Sequence, residues 1–134
     1  MYLLDTNIIL EIFLDQEKAD VAEEILTKIP SEHLFFSEFS LYTIGIIFIH
    51  RKMFNEFKEI IENILRSINL IRLNLYDIMD LIHASKRYKL DFDDSYQYVA
   101  AKKYGLILVS FDSDFDRTDI GRKTPEEILE RLQS

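Results

Sequence analysis

Cysteine is absent from the 134 residues, which excludes disulfides and thiolate metal sites outright and makes a cytoplasmic protein the simplest reading. Glycine occurs three times and proline twice, while Ile, Leu, Glu and Lys are abundant, a balance that leans towards compact, thermostable proteins. No apolar run approaches the roughly 18 residues that a membrane span requires. The opening Met1-Tyr2-Leu3-Leu4-Asp5 has no basic segment and reaches an acid at once, which reads as a buried strand rather than a secretory signal. Basic residues are also in deficit. Lys and Arg number 16 against 24 Asp and Glu, for a net charge of −8. A general nucleic-acid binder usually carries the opposite excess. Either the acids have a specific task, in which bound divalent cations invert the local field, or they form only a solvated acidic surface.

What is present is apolar and regularly arranged. Hydrophobic residues make up 48% of the chain, enough for a core without covalent staples. The length fits one domain, residues 1–134, and no linker, repeat or low-complexity tract divides it. Short apolar runs alternate with longer amphipathic ones. Strands are expected at 2–4, 33–36, 70–72 and 106–109. Helices are expected at 7–14, 17–29, 38–53, 55–67, 75–88, 94–104 and 126–132. The helix from Glu38 to Met53 is apolar nearly all round, which predicts burial on most sides or a subunit interface. Gly105 closes the helix before the last strand, and Thr124-Pro125-Glu126-Glu127 carries the signals of a helix start. This order predicts an α/β fold with three layers, α/β/α, around a parallel sheet of four to five strands.

In such sheets ligands bind beyond the carboxyl ends of the strands. Asp5 ends the first strand, and Asp112 and Asp114 follow the last one. Asp93 and Asp94 begin the helix that feeds the last strand, so they fall on the same edge. Each group has a plainer explanation. Asp5 and either Asp93 or Asp94 serve as helix N-caps, and Asp112-Ser113-Asp114 as a polar turn. Convergence of three segments on one edge is what caps alone do not explain. Collected like charges call for a cation, and Mg²⁺ or Mn²⁺ prefers hard oxygen ligands. A pair of such ions, about 4 Å apart, activates water against a phosphodiester without a side-chain nucleophile.

The motifs then resemble a known family. Leu3-Leu4-Asp5-Thr6-Asn7-Ile8-Ile9-Leu10 resembles the opening motif of PIN-domain proteins. Asp94-Ser95-Tyr96-Gln97-Tyr98-Val99-Ala100-Ala101 resembles their third motif, and Leu108-Val109-Ser110-Phe111-Asp112-Ser113-Asp114-Phe115 their fourth. The resemblance covers nearly the whole chain in the right order. It implies a Mg²⁺- or Mn²⁺-dependent ribonuclease, of the kind found as VapC-type toxins. RNA would be the substrate, an antitoxin protein a partner, and a homodimer the assembly. It also implies metal ligation by Asp5, Asp94 and Asp112, with Asp114 a supporting acid and Asn7 and Ser110 ordering the ligands. In the second motif, Phe36-Ser37-Glu38-Phe39-Ser40-Leu41-Tyr42-Thr43-Ile44-Gly45, Thr43 stands where the family places a glutamate. Glu38 lies about 140° away around the helix and would have to approach from the strand end. The alternative implied by Thr43 is a weakened or inactive scaffold that binds RNA or protein.

Other acid-pocket chemistries lack a needed group. A haloacid-dehalogenase-type phosphatase would need an acid where Asn7 stands. A phosphoacceptor receiver domain would need an aspartate after the third strand, where Arg72-Leu73-Asn74 follows. His33, His50 and His83 show no ligand spacing, and Tyr96 and Tyr98 read as core. The basic clusters at 86–89, 102–103 and 122–123 read either as solvated helix ends or as the border of an RNA path.

Overall fold

The computed structural model describes residues 1–133. Four strands, β1 (Tyr2–Leu4), β2 (Leu34–Ser37), β3 (Asn69–Ile71) and β4 (Ile107–Val109), form one parallel sheet in the order β3-β2-β1-β4. Register pairs Leu3 with Phe35 on one side and with Leu108 on the other. Seven helices connect and follow them: α1 (Thr6–Phe13), α2 (Ala19–Lys28), α3 (Glu38–His50), α4 (Phe54–Asn63), α5 (Leu75–Tyr88), α6 (Phe92–Tyr104) and α7 (Pro125–Gln133).

Strand alternation divides the core. Leu4, Leu34, Phe36 and Val109 point to one face and pack with residues of α1, α2, α3, α4 and α7. Leu3, Ile71 and Leu108 point to the other, against Ala100 and Ala101 of α6 and against Phe115. Both faces are covered, as an all-parallel sheet requires, so the strands read as unbroken apolar runs. Burying one such Leu or Phe contributes about 1.5–3 kcal/mol, and even these three- and four-residue strands are well anchored.

The predicted three-layer α/β architecture is present, with four strands. The helices show three informative differences. Helix α3 ends at His50, not Met53, because Lys52 turns left-handed at φ 59°. It is also less covered than its composition suggests. Ser40, Ile44 and Phe48 are buried, while Tyr42, Ile46 and Ile49 are exposed. Helix α6 begins at Phe92, two residues before the expected start, and its N-cap is Asp91, not Asp93 or Asp94. At the other end, Gly105 (φ 65°) adopts the left-handed conformation expected of it. The Thr124–Glu127 start of α7 forms a reciprocal pair: Glu127 N donates to Thr124 Oγ1 at 3.2 Å and Thr124 N to Glu127 Oε1 at 3.1 Å.

Because β2 lies on one side of β1 and β4 on the other, connections diverge at the β1–β4 pair. A crevice opens there, beyond the strand ends. No helix among the described residues is long and apolar enough to cross a membrane.

Candidate functional site

The crevice collects the acids. Asp5 follows β1 and caps α1, its Oδ1 accepting from Thr6 N at 2.8 Å. Its other oxygen, Oδ2, accepts from Ser110 Oγ at 2.6 Å. Ser110, directly after β4, organises the neighbouring loop as well. Its hydroxyl oxygen accepts from Asp112 N at 2.9 Å and from Asn7 Nδ2 at 3.2 Å. Asp112 in turn caps a short 3₁₀ turn, Ser113–Arg117, by accepting from Asp114 N at 2.9 Å. Asn7, in the first turn of α1, and Ser110, directly after β4, are thus hydrogen-bonded to each other. Capping and gathering acids prove to be one arrangement: the same turns that satisfy helix-end N–H groups point carboxylates into the crevice.

Helix α6 supplies the third segment. Asp91 Oδ1 accepts from Asp94 N at 2.9 Å, which sets Asp94 in the first turn, facing inward. One oxygen each from Asp94, Asp112 and Asp114 lie within 4.8 Å of one another. Asp94 is buried, Asp112 half-buried, and the Asp114 side chain is 49% exposed. The group therefore has a closed floor and an open rim. Asp93 is exposed beside it.

Charge crowding leaves its mark. Asp94 is pushed up to about 8, first by burial and then by the charges of Asp112, Asp91, Asp5 and Asp114. Asp5 is pushed up to about 6 by burial, against the opposing pull of the Ser110 and Thr6 hydrogen bonds. Asp93 is raised by partial burial and by Asp91. An ordinary aspartate titrates near 3.8. Between about pH 4 and 8 the folded chain therefore holds protons that the unfolded chain has released, and stability falls as pH rises through that window. Asp119, lowered to about 2 by Lys102 and Tyr98, acts in the opposite sense only below pH 4. Urea unfolding of the ion-free protein is expected to show lower stability at pH 8 than at pH 5.5, with most of the difference restored by millimolar Mn²⁺ at pH 8. Equal stability at both pH values would contradict the crowding.

Three carboxylate oxygens in mutual reach, with a fourth acid beside them, are a hard-oxygen donor set that fits a divalent cation. Two residues of the second motif do not join it. Thr43 Oγ1 donates to Phe39 O, one turn back in its own helix, at 3.0 Å. Glu38 opens α3, but its charge acts on Tyr96. Glu38 contributes no oxygen to the group of Asp94, Asp112 and Asp114.

Several surrounding residues were not singled out from sequence. Asp91 had a readable signal, an Asp-x-x-Asp spacing at a helix start. Ser40 and Gln97, buried beneath the acids, had none. Much of the basic sequence is already paired: Lys102 with Asp119 at 2.8 Å, Lys103 with Asp77 at 2.6 Å, and Arg122 with Asp116 at 3.2 Å. The two lysines line a separate cavity of about 450 Å³ between α5 and α6. His33, His50 and His83 are exposed, and Tyr96 and Tyr98 are buried.

Comparison with known proteins agrees with this geometry. The sequence model described as "PIN domain" matches residues 2–121. A curated protein, Ribonuclease VapC1 of Aquifex aeolicus, is 35% identical over 82 residues. That alignment takes in 60% of this chain and 56% of the relative, so the chain spans little more than half of that protein's length. A toxin–antitoxin complex from Klebsiella pneumoniae has a similar fold, with a TM-score of 0.73 at 22% identity, covering 93% of this chain and 98% of that one. FitAcB from Neisseria gonorrhoeae superposes with a TM-score of 0.79 at 17% identity, covering 94% and 99%.

Proposed function

The chain belongs to the PIN-domain family, and from that premise we propose that it is a single-domain, divalent-metal-dependent endoribonuclease that hydrolyses RNA phosphodiesters. The observation that carries this is the convergence of Asp94, Asp112 and Asp114 within 4.8 Å beside the buried Asp5. In this reading Asp5, Asp94 and Asp112 are the catalytic metal ligands for Mg²⁺ or Mn²⁺, and Asp114, on the open rim, is a further ligand.

Bound there, the ion would supply a nucleophilic water at neutral pH and charge stabilisation for the phosphodiester. The chain's own residues do the rest. Ser110 holds the Asp5 carboxylate by one oxygen and the Asp112 backbone by its amide, which fixes two carboxylates relative to each other. Asn7 holds Ser110 in turn. Outer groups of this type set ligand orientation and support metal affinity. The half-exposed Asp114 leaves the rim open to a polyanion. No histidine, cysteine or serine nucleophile is needed.

The similarity to a ribonuclease named VapC1 supports RNA as the substrate class. The fold shared with a chain of a toxin–antitoxin complex supports an antitoxin protein as partner. The exposed Tyr42, Ile46 and Ile49 of α3 are the surface we assign to a homodimer. Cytoplasmic location follows from an RNA substrate and a cysteine-free chain. A second reading, a weakened or inactive scaffold that binds RNA or protein, rests on one contact. The Thr43 hydroxyl is engaged with Phe39 O and provides no acid from α3.

Labelled single-stranded RNA in Mn²⁺ or Mg²⁺ decides between the two. We expect cleavage that disappears with EDTA and in the Asp5→Asn variant. Folded protein that cleaves none of several RNAs in either metal would establish the scaffold instead.

A further inference from the structure

Beneath the carboxylates lies a second, neutral cluster. Gln97, 1% exposed, sits one turn after Asp94 on α6 and hydrogen-bonds Ser40 Oγ of α3. Its amide also approaches Thr6 Oγ1 of α1 at 3.5 Å. Ser40 Oγ is the centre, accepting from Thr6 Oγ1 at 2.7 Å and from Ser37 Oγ at 3.1 Å. Ser37 is the N-cap of α3, and Thr6 is the residue whose N–H holds Asp5. Three helix starts, those of α1, α3 and α6, therefore meet at one serine hydroxyl.

Proton accounting allows either orientation of the amide. A hydroxyl oxygen has two lone pairs and one proton. With Nε2 towards it, Ser40 accepts from Gln97 and from one neighbouring hydroxyl and donates to the other. With the amide turned over, Ser40 accepts from Thr6 and Ser37 and donates to Gln97 Oε1, and every hydroxyl is satisfied. In either orientation one end of this buried amide has no partner in the protein. An unmet buried polar group costs about 1–3 kcal/mol, so the amide is held there at a cost to stability.

We propose that Gln97 is a positioning residue of the carboxylate site: through Ser40 it ties α6, which carries Asp94, to the starts of α1 and α3, and so fixes Asp94 opposite Asp5. The mutual repulsion of Asp5 and Asp94 would otherwise spread the crevice. A negative charge there would add to the crowding, and the neutral amide does not. Thr43, one turn further along α3, contributes nothing to the crevice, so the hold of α3 on the site passes through Ser40.

This inference rests on the metal-binding reading above, and its test separates the two. Mn²⁺ affinity of the full chain is measured by calorimetric titration for wild type, Gln97→Met, Ser40→Ala and the double variant. Phe48→Leu, a core change in α3 away from the cluster, is the stability control. Gln97→Met and Ser40→Ala are each expected to weaken Mn²⁺ binding about 10- to 100-fold. The double variant should be no worse than the poorer single, because both remove the same tie. Phe48→Leu should lower Tm while leaving affinity unchanged. If Gln97→Met does not fold, Ser40→Ala carries the same comparison. Unchanged affinity in folded Gln97→Met and Ser40→Ala overturns the proposal, as does affinity that falls with Tm in Phe48→Leu too. Wild-type protein that takes up no Mn²⁺ overturns the metal reading, and this proposal with it.

Discussion

Asp94→Asn is expected to abolish RNA cleavage, by about a thousandfold or more, while making the ion-free protein more stable near pH 8. The two effects share one cause. Asp94 is buried among Asp5, Asp91, Asp112 and Asp114, and in the absence of a cation it is pushed up to about 8. Its charge is a liability to the fold. An amide of the same shape removes that charge and leaves the N-cap contact from Asp91 to the residue 94 backbone in place. Stability at pH 8 therefore rises, and its fall between pH 5.5 and 8 becomes shallower. Catalysis loses a ligand to the ion, and an ion contributes several kcal/mol to the transition state. A loss of about 4 kcal/mol corresponds to about a thousandfold in rate. A purely structural aspartate would show the reverse, with lower stability and cleavage reduced only in proportion to folded protein. Denaturant unfolding and initial cleavage rates on the same preparations distinguish the cases.

Thr43→Glu is the expected gain of function. Its hydroxyl bonds to its own helix at Phe39 O, an interaction worth little to α3, since such back-bonding only replaces a solvent contact. Thr43 lies one turn beyond Ser40, whose hydroxyl reaches Thr6 beside Asp5. A glutamate side chain is two bonds longer than threonine, and Ser40, three residues earlier on the helix, already reaches the start of α1. We expect tighter Mn²⁺ binding, by about tenfold if the new ligand contributes only about 1.4 kcal/mol, and faster cleavage at limiting metal. We also expect lower stability of the ion-free protein at pH 8, because a further acid joins the crowd. Unchanged metal affinity would show that α3 lies too far from the ion for any side chain at this position to matter.

The central acids were legible in the sequence because parallel topology is a strong constraint. Once β1 and β4 were recognised as strands, Asp5, Asp112 and Asp114 had to share an edge, and the crossover helix had to bring Asp94 to it. Asn7 and Ser110 were legible through resemblance alone; their hydrogen bonds to each other and to Asp5 are a tertiary fact. The start of α6 was misread by two residues. Three acids in four positions, Asp91, Asp93 and Asp94, all satisfy the preference for an N-cap, and only packing chooses among them. Glu38 illustrates the same limit. Its spacing allowed an approach from the strand end, yet it contributes no oxygen to the acid group, and spacing along the chain does not decide that. Ser40 and Gln97 were illegible for a different reason. A serine and a glutamine inside apolar helices carry no periodic signal, and their partners are 34 and 57 residues away along the chain.

The apolar face of α3 shows what composition can and cannot determine. A helix with so many Ile and Phe must cover them somewhere. The sheet and α4 cover Ile44 and Phe48, while Ile46 is left 72% exposed. Composition announced the surplus; only the fold shows which residues carry it.

The account stands or falls on where a divalent ion binds, and anomalous scattering from Mn²⁺-soaked crystals near pH 8 locates it most directly. We predict a peak in the crevice beyond β1 and β4, about 2.0–2.3 Å from oxygens of Asp94 and Asp112 and in contact with Asp5 or Asp114. Ordered crystals in millimolar Mn²⁺ with no peak there, or with the metal held only at other surface acids, would contradict it.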